Sequence, residues 1–357
     1  MFLKVKSINN EEMNNPSFFV IGDLHIHITN LDETQLLREF LVKTAKDRRG
    51  DYDCIVLLGD ILDTHNIVRT EAHVAASELI DLLSEIAPLV VIMGNHDVQG
   101  PLSFFSKYHA FTQLKKWPGT KSDCVSFPSG NGLQLVDTKP VVFTVRGIPF
   151  CALPYIPVGR FQEALSLDQE SLHARAIFCH QEFQGCDLGF GRESDVSDTS
   201  SQTWISGHIH QHQLRKNGLY VGTPRQVAIT EDYFKTISII KFEESIFHEE
   251  RISTNLPPRC HIKAATSEIG LINVPEYGRV KIELSGTPPE NAVAKKNPLI
   301  RVWKKKGFVV KFHPLVGIKS QENAEVILRR KGLGFSKLCE ISAAEEGLSH
   351  IYQEIFH

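Results

Sequence analysis

The chain has 357 residues, 42% of them hydrophobic and 23% charged, a balance that excludes a disordered chain and supplies a sizeable core. A formal charge of -3 gives no whole-chain bias toward or away from nucleic acid, so only a local patch can speak to that. The seven cysteines are odd in number, scattered and without a CxxC, which excludes a disulfide scaffold and fits reduced thiols.

The opening stretch MFLKVKSINNEEMNN has no long apolar segment, and no run approaches membrane-spanning length. The expectation is a soluble intracellular protein of cytoplasm or nucleoplasm with no membrane attachment. FFVIGD (18–23) reads as a strand ending at Asp23. Residues 31–48 place Leu36, Leu37, Phe40, Leu41 and Ala45 at helical spacing. CIVLLGD (54–60) is a second strand, ending at Asp60, and 70–87 a second amphipathic helix. LVVIMGN (89–95) is a third strand. Near-continuous apolar strands alternating with helices predict a parallel sheet covered on both faces.

From about residue 133 the rhythm changes to hairpins, followed by the short strands AIFCH (176–180), TWISGHIH (203–210) and LYVGTP (219–224). ISIIKF (237–242) ends the large domain in this reading, and the paired prolines of 251–260 mark a linker. Beyond it, 279–286 and 299–312 suggest a small α+β domain, 327–335 a helix end with Gly stops, and 336–356 a helical tail. The expected domains are 1–246, 247–320 and 321–357.

Five apolar runs end in residues of the metal-ligand type: Asp23 with His25, Asp60, Asn95 with His96, His180, and His208 with His210. In open α/β sheets chemistry collects beyond the carboxyl ends of strands. Asp, His and Asn together suit a divalent transition metal. In D-x-H and H-x-H, residues i and i+2 of an extended chain face the same side and can reach one ion. Gly22, Gly59, Gly94 and Gly207 precede the ligands, permitting a sharp exit from the strand and close backbone approach. Each piece alone is a weak signal. The full order D-x-H, GD, GNHD, H, GHxH is a strong one.

That order resembles the calcineurin-like metallophosphoesterase superfamily over roughly residues 17–230, most specifically in GNHD and GHxH. The resemblance implies an αββα sandwich of mixed sheets flanked by helices, with the small α+β unit as a C-terminal cap. It implies two divalent ions, Mn²⁺ first and Mg²⁺, Fe or Zn²⁺ as alternatives. Asp23, His25 and His210 would hold one ion, Asn95, His180 and His208 the other, and Asp60 would bridge them. His96 would protonate the leaving oxygen while a hydroxide shared by the ions attacks the phosphorus, and Asp97 would orient the loop.

Within the superfamily, GDILD and YVGTP resemble the SbcD-like nucleases of DNA double-strand-break repair and recombination, including phage relatives. Asp63 matches that branch, while Leu62 stands where an aromatic is usual and His27 where Gly is usual. The resemblance implies an Mn-dependent exo/endonuclease, an SbcC-like SMC ATPase partner for the tail, and a homodimer through the helices after the second and third strands. Lys295, Lys296, Arg301, Lys304, Lys305 and Lys306, interleaved with Trp303 and Phe308, form a candidate DNA contact; the competing reading is a strand edge protected by lysine. The alternative functions are a cyclic-nucleotide or dinucleotide phosphodiesterase and a non-catalytic scaffold.

Overall fold

A computed structural model describes residues 15–315 apart from 66, 101, 190–191, 194–201, 244–245 and 276–277. The helical tail and the Gly-stop segment read from the sequence lie outside the described residues. In chain order the elements begin β1 (Ser17–Ile21), α1 (Leu31–Asp47), β2 (Cys54–Leu57), α2 (Thr70–Ile86) and β3 (Leu89–Ile92). A run of short strands follows: β4 (Val125–Ser126), β5 (Leu133–Val136), β6 (Val141–Val145) and β7 (Ile148–Ala152). Then come α3 (Phe161–Ser166), β8 (Ala176–Cys179), β9 (Asp187–Gly189), β10 (Arg192–Glu193), β11 (Thr203–Ser206), β12 (Gln213–Arg215) and β13 (Gly218–Tyr220). β14 (Thr236–Glu243) and β15 (Ile246–Ser253) form a hairpin, and β16 (Arg259–Ala265), β17 (Arg279–Gly286), α4 (Pro288–Ala294), α5 (Pro298–Lys305) and β18 (Val309–Pro314) close the described chain.

Two sheets build the large unit. The first runs β15-β14-β1-β2-β3-β5, with β1, β2, β3 and β5 parallel. The second runs β12-β13-β11-β8-β7-β6-β4, with β13, β11, β8 and β7 parallel. Side-chain alternation explains why they stack. On β1, Phe18 and Val20 join Val56, Val90, Phe143, Phe150, Phe178 and Ile205 in a core between the sheets. Phe19 and Ile21 point the other way, into a core with Leu37 and Leu41 of α1 and Leu79 and Leu83 of α2. A third core lies on the outer side of the second sheet, where Ile177, Trp204 and Tyr220 meet Phe161 and Leu165 of α3. Three apolar layers between four layers of structure make the expected αββα sandwich. Because both faces of β1 are buried, its run is continuously apolar rather than alternating.

The chain divides into two compact units, with the changeover after Cys260. The boundary anticipated near residue 247 falls instead inside the β14–β15 hairpin, which pairs over the whole of both strands. β15 is a charged edge strand (IFHEERIS), and its polarity is what made it read as the start of another domain. In the second unit β17 and β18 are parallel and joined through α4 and α5. Val280, Ile282 and Leu284 of β17 alternate into a core with Ile300, Trp303 and Phe308.

The segment weighed as a lysine-protected strand edge is helix α5 over residues 298–305. Asn297 caps it by accepting from the Leu299 N–H at 2.9 Å, and Pro298 sits at its first position. The buried face is Ile300 and Trp303, three residues apart, so the lysines are the solvent face of a helix.

Candidate metal centre

All the predicted ligands sit just past the carboxyl ends of β1, β2, β3, β8 and β11. In the first sheet β1, β2 and β3 are neighbours, and in the second β8 and β11 are, so two parallel sets of strands deliver their exits to one rim. His25, Asp60 and His208 adopt positive φ angles of 45°, 46° and 74°, half of the non-glycine residues so strained among those described. The loops are tied to one another. Leu24 and His25 both donate their N–H to the Asp60 carbonyl, at 3.0 and 2.9 Å, and His208 donates its N–H to Asp23 Oδ1 at 3.1 Å. Asp97 accepts from the N–H groups of Ile61, Leu62 and Gly94, at 3.2, 3.0 and 3.0 Å, binding the β2 exit to the β3 exit. The glycines are there for space. A Cβ on Gly94 would lie 2.2 Å from Asp60 Oδ1, and Gly59 combines a φ of +102° with His180 Nδ1 at 2.7 Å from any added Cβ.

The side chains form three overlapping clusters of metal-ligand type: Asp23, His25 and His210; His25, Asp60 and His96; and Asp60, His180 and His208. Each ring is held by a partner on its far side. His25 Nδ1 donates to Asp63 Oδ1 at 2.9 Å, His210 Nδ1 to Glu231 Oε1 at 2.8 Å, and His180 Nδ1 to the Leu58 carbonyl at 2.8 Å. Since these acceptors cannot donate, each neutral ring carries its proton on Nδ1 and turns an Nε2 lone pair inward. The Nε2 atoms of His25 and His210 then face each other at 3.0 Å. Two lone pairs at that separation repel unless a cation lies between or beside them. The third cluster has the same character. His180 Nε2 and His208 Nδ1 each lie 3.0 Å from Asn95 Oδ1, and Asp60 Oδ2 is 3.3 Å from His180 Nε2.

Two further observations fit divalent cations. Asp23 is fully buried, yet its Oδ2 has no hydrogen-bond partner, a costly arrangement unless that oxygen is a ligand. The field also draws positive charge in. Burial opposes a charged His180, but the Asp60 and Asp23 carboxylates outweigh it and push its pKa up to about 9. Burial likewise works against an ionised Asp60, and the imidazoles of His180, His25 and His96 reverse that, holding its carboxyl well below the usual range. Mixed oxygen and nitrogen donors of this kind suit transition-metal ions and do not select among them.

His96 differs from the other rings. Its Nδ1 donates to the Asp63 carbonyl at 2.9 Å, its Nε2 lies 3.9 Å from Asp60 Oδ2, and its side chain is 28% exposed. His65 stacks on it with ring centroids 4.2 Å apart and bonds the Asn95 carbonyl at 2.7 Å. His27 turns away, capping a short turn and meeting Thr29 Oγ1 at 2.9 Å.

Sequence reasoning missed the supports supplied by the segment after YVGTP. Glu231 orients His210, accepts the N–H groups of Val227 and Ala228 at 3.0 Å each, and pairs with Lys235 Nζ at 2.8 Å. Burial disfavours its charge, but His210 and Lys235 dominate and lower its pKa to about 2. Arg225, buried, donates to the His25 carbonyl and to Thr34 Oγ1. The available signal was the acid–lysine pair four residues apart in EDYFK.

The candidate DNA contacts belong to the second unit. Lys295, Lys296, Arg301, Lys304, Lys305 and Lys306 are exposed there. Trp303 and Phe308 are not: at 6% and 5% exposure both are core side chains of that unit, so neither ring is open to a base. This corrects the inclusion of Trp303 among the contact residues. Helical spacing, not interleaving on a strand, set its direction.

The family model for calcineurin-like phosphoesterases matches residues 16–212, a span that contains every predicted ligand. Two curated proteins, each named "Putative phosphoesterase", are similar over most of the chain. They are 244L of Invertebrate iridescent virus 6, 30% identical over 81% of this chain and all of that one, and 078R of Invertebrate iridescent virus 3, 30% identical over 85% of each. Among solved structures, GAP50, the anchor in the inner membrane complex of Plasmodium, aligns with a TM-score of 0.45 at 14% identity, over 68% of this chain and 85% of that one. The chain belongs to the calcineurin-like phosphoesterase family, whose members are metal-dependent phosphoester hydrolases. No helix among the described residues is long and apolar enough to cross a membrane.

Proposed function

We propose that the protein is a two-metal phosphodiesterase acting on DNA, an Mn²⁺-dependent nuclease of the SbcD-like kind serving repair or recombination. The observation that carries the metal chemistry is the chain of three overlapping ligand clusters, linked through His25 and Asp60, with the unpartnered Asp23 Oδ2 in the first. Asp23, His25 and His210 are assigned to one ion, Asn95, His180 and His208 to the other, and Asp60 to both. Such ions supply an activated water and neutralise charge on the phosphate oxygens. The protein's own part is orientation and proton supply. Asp63, Glu231 and the Leu58 carbonyl fix the tautomers of three rings. His96, its Nδ1–H committed to the Asp63 carbonyl, would in its doubly protonated form deliver the Nε2 proton to the departing oxygen.

DNA as substrate is supported by GDILD and YVGTP, which resemble the repair nucleases, and by the exposed cations of the second unit. A small cyclic or dinucleotide diester is the second reading. It is favoured by the burial of Trp303 and Phe308, which leaves that cationic segment without an open ring for stacking. An SMC-like ATPase and a second copy of the chain are the proposed partners. The deciding experiment sets the purified protein with Mn²⁺ on labelled single- and double-stranded DNA beside bis-p-nitrophenyl phosphate. Cleavage of DNA supports the nuclease. Turnover of the small ester alone would replace it with the second reading, and turnover of neither would remove the diesterase assignment.

A further inference from the structure

A cavity of the large unit is bordered by two of the candidate metal ligands. It has a volume of 760 Å³, and His208 and His210 form part of its wall. That is within the ~300–1,000 Å³ typical of small-molecule sites. A phosphodiester held at the metals needs somewhere to put the groups on either side, and His208 and His210 border this cavity.

Its chemistry selects what those groups are. Phe234 lines it with 51% of its surface exposed, so the ring is accessible from the cavity. The Arg251 guanidinium carbon lies 5.2 Å from the ring centroid, an arrangement that backs the ring and holds the cation. Lys235, buried in the same wall, is consumed by three acceptors: the His210 carbonyl at 3.2 Å, Thr223 Oγ1 at 2.9 Å and Glu231 Oε2 at 2.8 Å. Asp187 and Asp232 also line it. The wall offers an open ring, with Lys235 committed to Glu231, the Arg251 guanidinium on the ring and carboxylates at its edge. It accepts a flat, π-stacking group that bears N–H donors.

The ring is also set at a fixed place. The Phe234 backbone N–H donates to Asp232 Oδ1 at 2.9 Å, and the next residue, Lys235, is pinned to the carbonyl of His210 itself. Ring and metal ligand are therefore positioned by one short hydrogen-bonded segment.

We infer that this cavity is a nucleobase subsite: with a phosphodiester at the metals, the base of an adjoining nucleotide enters it and stacks on Phe234. The inference rests on the diesterase reading above and deepens it by assigning where a nucleoside is distinguished from a plain ester.

The test compares the 3′- and 5′-p-nitrophenyl phosphate esters of deoxycytidine with methyl p-nitrophenyl phosphate, which has no base. Removing a stacking ring costs roughly 10- to 100-fold per base. For Phe234→Ala, the ratio of kcat/KM on the better nucleoside ester to that on the methyl ester should fall by that factor. Phe234→Trp should restore it. Binding is read without turnover by the fluorescence quench of 2-aminopurine deoxyribonucleoside 5′-monophosphate with Mg²⁺, whose midpoint should move up at least about tenfold in Phe234→Ala. An unchanged ratio together with an unchanged quench overturns the subsite. Hydrolysis of neither ester by the unmodified protein overturns the diesterase reading instead, and the quench then decides the subsite by itself.

Discussion

Replacing Glu231 by Gln isolates the orientation of one metal ligand from the charge that surrounds it. The two carboxylate oxygens divide their work. Oε1 accepts from His210 Nδ1 at 2.8 Å and the Ala228 N–H at 3.0 Å, while Oε2 accepts from Lys235 Nζ at 2.8 Å and the Val227 N–H at 3.0 Å. An amide has one accepting oxygen, so one of these pairs must face an NH₂. If the NH₂ faces Lys235, a buried ammonium loses its Glu231 carboxylate. Breaking a buried ion pair costs about 3–5 kcal/mol, more than the ~1–3 kcal/mol of an unmatched neutral group. The amide should therefore turn its oxygen to Lys235 and its NH₂ to His210. The ring then has to accept at Nδ1, carry its proton on Nε2, and so lose the lone pair that faces the metal. Losing such an outer partner typically weakens metal affinity 10- to 100-fold, roughly 1.4–2.7 kcal/mol. Isothermal titration of the metal-free protein with Mn²⁺ would show the weaker of two sites shifted by that factor, with thermal unfolding of the metal-free form moved little. Mn²⁺ affinity within about twofold of the unmodified protein, at any stability, would refute the tautomer argument and leave Glu231 as a loop staple only.

Asp60→Ala should abolish binding of both ions, because its carboxylate belongs to two of the three clusters and lies 3.7 Å from His25 Nε2 of the remaining one; two ions per chain by metal analysis of the variant would contradict the shared role. His96→Ala should keep both ions and lose about 10²- to 10⁴-fold in kcat, the usual contribution of a positioned acid. Loss of metal in that variant would move His96 into the ligand set, as its grouping with His25 and Asp60 allows. Away from the site, burial works against an ionised Asp137, but His109 at 3.0 Å and Lys115 at 2.6 Å outweigh it and depress its pKa. A depressed carboxylate contributes stability that is present above its unfolded pKa and lost as pH falls through the folded one. Denaturant unfolding from about pH 5 down to about pH 3 should thus show a stability loss that Asp137→Asn flattens; equal slopes would refute it.

The positions of the candidate metal ligands were legible because two independent periodicities agree on them. An apolar run buried on both faces has to stop where the strand leaves the sheet, and a polar residue placed there is visible against it. Five such stops in one chain, with i, i+2 spacing at two of them, left little freedom for where the ends could meet. The supports of those ligands are a different case. Glu231 follows His210 by 21 residues in an irregular segment with no periodicity to mark its direction, and it reaches the ring only because Lys235 draws the loop back to the His210 carbonyl. A carboxylate and a lysine four residues apart are common on any surface, so the pair is informative only once the loop's path is known. Helix α5 shows the opposite failure. Asn297-Pro298 is a helix start, and Ile300 with Trp303 is a buried face, yet a row of lysines drew attention to charge rather than to phase. Charge reports what faces water. Which rings face water is settled by the helical period, and the period that buries Trp303 is the reason an open ring has to be sought elsewhere, at Phe234 beside the metal ligands.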